Sequence, residues 1–577
     1  MDAMKVSVDL SEQDRGLTDS STLEVVRPSK PGSAGHNWWM LLGVIALVCL
    51  VVTRGISRGE LDYNIDEAQH AVTGLFMADA FRDAPLRHPV QYAYKYYAQY
   101  PAVAIVHWPP LFYLFEGLSF ITLGPSVVAA RLTVILFTVL LLFQWFRLVE
   151  QLQDSYTAAV STAVLGLLPM MLLFEKTVML EIPSLALAVA AIRSWIKYMN
   201  DGRKTSLYAF VFWISAALLC KQTSIYVLVF CILTLAVTGK WERIVTTRVV
   251  PAIGLGCVLV GPFYTLMLIA QGQAVAHDLG SHQMSGWQRL TFYLRTLPIT
   301  FTVPLLLLSL LGLLFAKRWN RAGQAALMGC WLLAGYVTFT LFGQREARFA
   351  VYWFPPLVYF AAGLLTQFFQ LPRIRLTMRG AALLVVGSLA VRAWAYERPY
   401  VSGYKEAASK LVNTYHSGIV LFDGKVPGNF VFYMRALDPR RQFIVLRKSL
   451  YVSDIRTSQS SEELLHSREE LLDLFRRDGI RFVVILDNGP LLFNSQRLLR
   501  ELLQNEQFRL VGRFPIATNE PSWAGQGLRL YENMQWSPPV DKFLKIRMMT
   551  LNHDIIVPLD HFDFVRREGQ ATKPGRE

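Results

Sequence analysis

Between Trp38 and Tyr396 the chain is a series of apolar runs separated by short polar stretches, each run near the length that crosses a bilayer. Eleven spans are expected, at about 38–53, 126–146, 156–173, 178–199, 206–220, 223–238, 249–270, 298–316, 322–342, 349–370 and 380–396. A further apolar segment, 109–124, opens on Pro109-Pro110 and carries Glu116, which suits a helix lying in the interface or dipping in from one side. After Tyr396 the pattern becomes that of a soluble domain. Short apolar runs at 419–423, 443–446, 482–486, 508–511 and 528–531 predict strands, and 462–477 and 491–504 have helical spacing. That alternation predicts a small α/β domain over 397–540. Residues 1–36 read as a disordered tail and 541–577 as a polar tail, ordered in part at best.

Composition agrees with a polytopic membrane protein. Of the 577 residues 53% are hydrophobic and only 17% charged, against roughly 25% charged in soluble domains. This excludes a disordered chain, a disulfide-built secreted domain and an ordinary cytosolic enzyme. The five cysteines lie in or beside apolar runs with no metal-ligand spacing, and no GxGxxG or P-loop occurs.

The net charge of +14 sharpens the picture once it is located. If the N-terminus is cytoplasmic and 109–124 does not cross, the basic connections fall inside: Arg147, then 193–204, 240–248, 317–321 and 373–379. The short outer connections keep only Lys176, Lys221, Arg289, Arg295, Arg345 and Arg348. The positive-inside rule selects this topology. It places the long first loop, 54–125, and the C-terminal domain outside.

Three clusters on that outer side are candidates for chemistry, because an ionisable group at the membrane boundary is costly unless wet or paired. The first is LDYNIDEAQHAVTGLF, where Asp66, His70 and Thr73 share one helix face and Glu67 lies about 100° away. Helix capping by Asp66 is the competing reading. The second is FEKTVMLEIP, with Glu175, Lys176 and Glu181; a surface ion pair and a capping Glu181 compete. The third is cationic: Lys221, Arg345 and Arg348, for which anchoring to lipid headgroups is the alternative. Outside cations facing outside carboxylates suit a phosphate-bearing ligand, with a carboxylate for proton transfer. A metal site built from His107, His277 or His282 with a carboxylate is conceivable, but the spacing shows none. No cofactor is therefore assigned, and a divalent ion stays open. The Tyr-rich run 92–100 reads as an interfacial aromatic belt.

The ordered set IDEAQHAVTGLFMAD, HWPPLFYLF, VVAARLTVILF, VMLEIPSLALA, ALLCKQTS and QREARFAVYWFPPL resembles a bacterial member of the protein-mannosyltransferase and aminoarabinose-transferase branch of the C-type glycosyltransferases (family 39-like), over about 38–396. The resemblance implies about eleven transmembrane helices in the C-type fold, and transfer of a sugar from a polyprenyl phosphate donor to a lipid, protein or glycan acceptor, with inversion, at the outer face of a bacterial inner membrane. The positive charge, located in the inner loops, reports orientation and no nucleic-acid partner is expected. Mapped by motif, Asp66, Glu67 and Glu181 would be the catalytic carboxylates; the family position of Glu181 is often Asp. Lys221 with Arg345 or Arg348 would bind the donor phosphate, and His70, His107 and Glu175 are candidate substrate contacts. A flippase for lipid-linked sugars, or a non-catalytic glycan-binding scaffold, are the alternatives.

Overall fold

The computed structural model describes residues 37–565 apart from Tyr63, 281–284, 321, 343–344, 369–371, 456–459 and 549–552. The tail 1–36 and His282 lie outside the described residues, as does the side chain of His277.

Helix α1 (Trp38–Thr53) leads into the long first loop, which holds α2 (Ile65–Asp83), α3 (Pro89–Gln99) and α4 (Leu111–Leu123). Then follow α5 (Val127–Leu152), α6 (Ser155–Leu167), α7 (Pro169–Glu175), α8 (Glu181–Asp201), α9 (Lys204–Cys220), α10 (Tyr226–Thr238) and α11 (Val249–Gly280). The membrane half ends with α12 (Gly286–Thr300), α13 (Val303–Leu314), α14 (Ala316–Trp319), α15 (Ala322–Leu341), α16 (Phe354–Gln367) and α17 (Pro372–Ala395). Every expected span falls on a helical stretch. Among the described residues five helices are long and apolar enough to cross a membrane, or seven if each of two bent pairs is one span. Shorter apolar helices, α1, α4, α9 and the stretch Gln222–Thr238, accompany them. The protein is a multi-pass membrane protein.

Two expected spans are not single rods. The stretch 156–173 turns by 69° between α6 and α7, where Pro169 occupies the first turn of α7 and starts a new helix. The stretch 298–316 spans a 115° turn between α12 and α13. There Thr302 sits at φ 74° and Pro304 opens α13, so one continuous hydrogen-bonded helix is impossible.

Helix α4 lies against α2. Gly74 leaves the space that the Glu116 side chain fills, and Gly117 sits against the α2 backbone at Met77 and Ala78. The segment 109–124 thus packs on the first-loop helix as well as beside the long spans.

The C-terminal region is an α/β domain. Its strands are β1 (Val401–Ser402), β2 (Gly418–Asp423), β3 (Phe443–Arg447), β4 (Val452–Ile455), β5 (Ser460–Glu463), β6 (Phe482–Asp487), β7 (Phe508–Pro515), β8 (Ala517–Thr518), β9 (Gly527–Asn533), β10 (Phe543–Met548) and β11 (His553–Pro558). The five runs expected to be strands form the central sheet, in the order β3-β2-β6-β9-β7. Strands β2, β3 and β6 are parallel, and β9 is antiparallel to β6 and β7. Its helices are α18 (Tyr404–Tyr415), α19 (Pro427–Leu437), α20 (Arg468–Asp478) and α21 (Asn494–Leu502). The expected helix 462–477 starts late: Ser467 accepts from the Glu470 N–H and caps α20, leaving 460–463 to pair as β5 with β4. Strands β10 and β11 form an antiparallel hairpin within the stretch read as a polar tail.

Candidate active site

The site grows from the start of α2. Asn64, not Asp66, caps this helix: its side chain accepts from the Glu67 N–H at 3.0 Å. That frees the Asp66 carboxylate, which receives a hydrogen bond from Arg348 Nη1 at 2.8 Å across 282 residues of sequence. Arg348 comes from a 3₁₀ stretch, Ala347–Trp353, ahead of α16. Its guanidinium also holds Glu346 at 2.7 Å and lies 3.5 Å from Glu181 Oε1. The same Glu181 oxygen accepts from Lys221 Nζ at 2.6 Å. Glu181 stands in the first turn of α8, where Leu180 is the cap residue, and Lys221 ends α9.

Four elements distant in sequence thus bring Asp66, Glu181, Lys221, Arg348 and Glu346 into one ion-pair network. Lys221 and Arg348 are buried, which removes the headgroup-anchor reading for both. Aromatic rings close the network: Lys221 Nζ lies 5.9 Å from the Trp108 ring centre and 5.6 Å from that of Phe349.

Access separates the carboxylates. The side chains of Glu67 and Glu181 are fully buried, whereas that of Asp66 is 25% exposed. Glu67 accepts from the Val178 N–H at 3.1 Å, tying α2 to the turn between α7 and α8. Burial pushes the Asp66 carboxyl up, but the Arg348 and Lys221 charges and the hydrogen bond from Arg348 oppose this and hold it below its ordinary value. His70 is buried, and burial pushes its ring down to about 3, so it is neutral at physiological pH. Its Nδ1 is 2.7 Å from the Tyr113 hydroxyl on α4.

Other expected residues are placed differently. His107 is at the rim, its Nδ1 3.2 Å from Gln271 and its carbonyl accepting from Gln222. Arg345 donates to the Thr340 carbonyl at the end of α15. Glu175 is fully buried in α7, and neither carboxylate oxygen has a protein hydrogen-bond partner. The Glu175–Lys176 surface pair does not form: Lys176 is buried and donates to the Arg54 carbonyl at 3.2 Å. Among the described residues no group of three His, Cys, Asp or Glu is arranged to hold a metal ion. Several buried polar atoms around the network lack protein partners, including Trp108 Nε1, Glu181 Oε2 and Ser224 Oγ. Such atoms in one place fit a polar ligand.

A second layer was not singled out from sequence. Arg131, buried in the first turns of α5, donates to the carbonyls of Ile56, Arg58 and Glu60 and so fixes the approach to α2. Arg398 donates to the Arg58 carbonyl from the other side. A lone Arg one turn into an apolar span was the available signal. Burial, followed by the charge of Glu67, pushes the Asp62 carboxyl up to about 8, with Arg398 only 3.8 Å away. A carboxyl raised in the folded state contributes stability below its unfolded value, about 3.9, and loses it as pH rises through about 8. Asp62→Asn is therefore expected to melt higher than the wild type at pH 8.5, with the gap closing by pH 4. Thermal denaturation in detergent at both pH values checks this.

Comparison with known proteins follows the same lines. Residues 107–264 match the family described as dolichyl-phosphate-mannose-protein mannosyltransferase. No curated protein matches the chain. The fold is similar to that of ArnT from Cupriavidus metallidurans, solved bound to undecaprenyl phosphate and in the apo state. The TM-score is 0.56 in both cases at 14% identity, covering 85% of this chain and 99% of that one. It is also similar to the mycobacterial arabinofuranosyltransferase AftD, with TM-score 0.53 and 16% identity over 89% of this chain and 40% of that one. The chain has the C-type glycosyltransferase fold and resembles the protein-mannosyltransferase and aminoarabinose-transferase branch.

Proposed function

We propose that the protein is an integral membrane glycosyltransferase that moves a sugar from a polyprenyl-phosphate-linked donor to an acceptor hydroxyl at the outer face of a bacterial inner membrane. The observation that carries this reading is the Asp66 carboxylate. It is the one carboxylate of the pair 66–67 with solvent access, and it is tied into a buried network with Lys221 and Arg348. In the reaction Asp66 accepts the acceptor's O–H proton as that oxygen bonds to the anomeric carbon. The bond from the anomeric carbon to the phosphate oxygen breaks from the opposite face, and polyprenyl phosphate departs with the electron pair. Arg348 and Lys221 stabilise the charge growing on that phosphate, the term expected to matter most. Arg348, not Arg345, takes the phosphate role. Glu181 holds Lys221 in place, Glu67 sets the angle of α2, and the neutral His70 and the rim His107 face the substrate.

An apolar groove of about 420 Å³, lined among others by Leu111, Phe115, Phe137, Trp213 and Leu219, supports a lipid-linked donor. Two of its lining residues are near the network in sequence: Leu111 follows Trp108 by three residues and Leu219 precedes Lys221 by two. The groove would take the first isoprenyl units of the donor. The ArnT structure with undecaprenyl phosphate supports the same class of lipid. The basic connections, read with the positive-inside rule, support a periplasmic location for this site and the C-terminal domain.

Purified protein in lipid is expected to release free polyprenyl phosphate from a set of polyprenyl phosphate sugars, faster when the matching acceptor is present. Movement of intact donor across vesicles without cleavage would instead establish a flippase. Sugar binding with neither would establish a scaffold.

A further inference from the structure

The C-terminal domain meets the membrane half along the helix that carries Asp66 and Glu67. Helix α19 runs beside α2 and touches it at both ends. At its start, a Cβ on Gly428 would sit 2.9 Å from the Ala68 Cβ and 3.6 Å from the Ala102 Cβ. Only glycine permits that approach, and Ala68 directly follows Glu67. One residue on, the Asn429 side chain receives the Leu61 N–H at 3.3 Å and donates to Glu60 at 3.0 Å. The Glu60 carboxylate also accepts from the N–H groups of Gly403, Tyr404 and Lys405 at the start of α18. Toward the other end of α19, Arg435 grips Asp79 of α2 with Nε at 2.7 Å and Nη2 at 2.5 Å, and both side chains are buried. Tyr96 donates to the same carboxylate at 2.8 Å, and Arg441 pairs with Asp83 one turn on.

The chain is bent to make this contact. Val426, two residues before Gly428, has φ 44°, a left-handed conformation that a β-branched residue adopts only when its surroundings impose it. A domain that merely rested on the membrane half would need neither the bend nor the glycine contact.

We propose that α19 is the positioning element for the catalytic helix, with Gly428 and Arg435 as positioning residues, so that the C-terminal domain is an integral part of the active centre. The inference rests on the reading of Asp66 given above. It assigns the domain a role in setting the Asp66 carboxylate against Arg348, separate from any role in holding the acceptor. The donor cations, Lys221 and Arg348, belong to other elements.

The test is Gly428→Ala in the full-length protein, with Ala68→Gly as the compensating change. Turnover at saturating donor is expected to fall roughly 10- to 100-fold, as for a displacement near 1 Å, while the donor KM stays unchanged. Hydrogen exchange of residues 65–75 is expected to rise while the central sheet keeps its protection. Ala68→Gly in the same chain removes the blocking methyl and is expected to restore both readouts. Unchanged exchange and turnover in folded Gly428→Ala would overturn the proposal, as would lost turnover with unchanged exchange in 65–75, or failure of the double variant to recover. Should Gly428→Ala not fold, Arg435→Lys takes its place: it keeps the charge but loses the two-pronged grip, and faster exchange in 65–75 with lower turnover is again required. If the wild type itself cleaves no donor, the enzymatic reading fails, while the exchange arm still decides whether α19 positions α2.

Discussion

Asp66→Asn is expected to lower glycosyl transfer by roughly 100- to 10,000-fold, the range for removing a positioned general base, without loss of fold. The side chain is partly exposed and its partner Arg348 keeps Glu346 and Glu181 as counter-charges, so no bare buried cation is left behind. Release of polyprenyl phosphate, measured with saturating donor and acceptor, reads the loss, and donor binding by the same variant controls for folding. Full activity in a folded Asp66→Asn protein would remove Asp66 from the mechanism. The wild-type pH profile carries the sign of the environment. Arg348 and Lys221 hold the Asp66 carboxyl below its ordinary value. The acid limb of kcat/KM therefore lies below about pH 4. Arg348→Gln removes one of those charges and a hydrogen bond to the carboxylate, so its residual activity should show that limb displaced to higher pH.

The second large effect concerns stability. Glu181 and Lys221 are buried partners 2.6 Å apart, and removing one member of such a pair strands the other. Breaking a buried pair costs about 3–5 kcal/mol. Glu181→Gln is expected to be the worse of the two single changes, because Lys221 then has no carboxylate within ion-pair reach among the described residues. Lys221→Met leaves Glu181 with Arg348 at 3.5 Å. The double variant Glu181→Gln/Lys221→Met should recover much of the lost melting temperature while remaining inactive, since the phosphate-stabilising ammonium is gone. A double variant no more stable than Glu181→Gln would mean that the pair is not coupled as the geometry indicates. Melting curves of the four proteins in one detergent, with donor cleavage measured alongside, complete the cycle.

Features set by local periodicity were legible in the sequence. Apolar runs of bilayer length became helices because every backbone group in lipid must be bonded internally. The five short apolar runs after Tyr396 became the central sheet, and its parallel strands β2, β3 and β6, buried almost throughout, read as continuous hydrophobic stretches. Breaks inside two runs were harder to see. They depend on a proline next to an unusual backbone angle, as at Thr302 and Pro304. The β5 strand was hidden for a similar reason: 462–477 has helical spacing throughout, and only the Ser467 cap decides where the helix begins.

The chain alone determined that acidic residues open the helix after the first span, and that scattered cations interrupt later apolar runs. Only the tertiary structure decided their roles. Asp66 and Glu67 are adjacent, yet 100° of helical turn sends one to Arg348 and the other to the Val178 N–H. Arg345 and Arg348 are three residues apart, yet the first donates to the Thr340 carbonyl while the second, on the 3₁₀ stretch before α16, reaches the carboxylates. The contact of Gly428 with Ala68 joins two domains that no periodicity connects. Side-chain pairing across 40 to 282 residues follows from how helices pack, and a single sequence records each helix's faces without recording which face meets which.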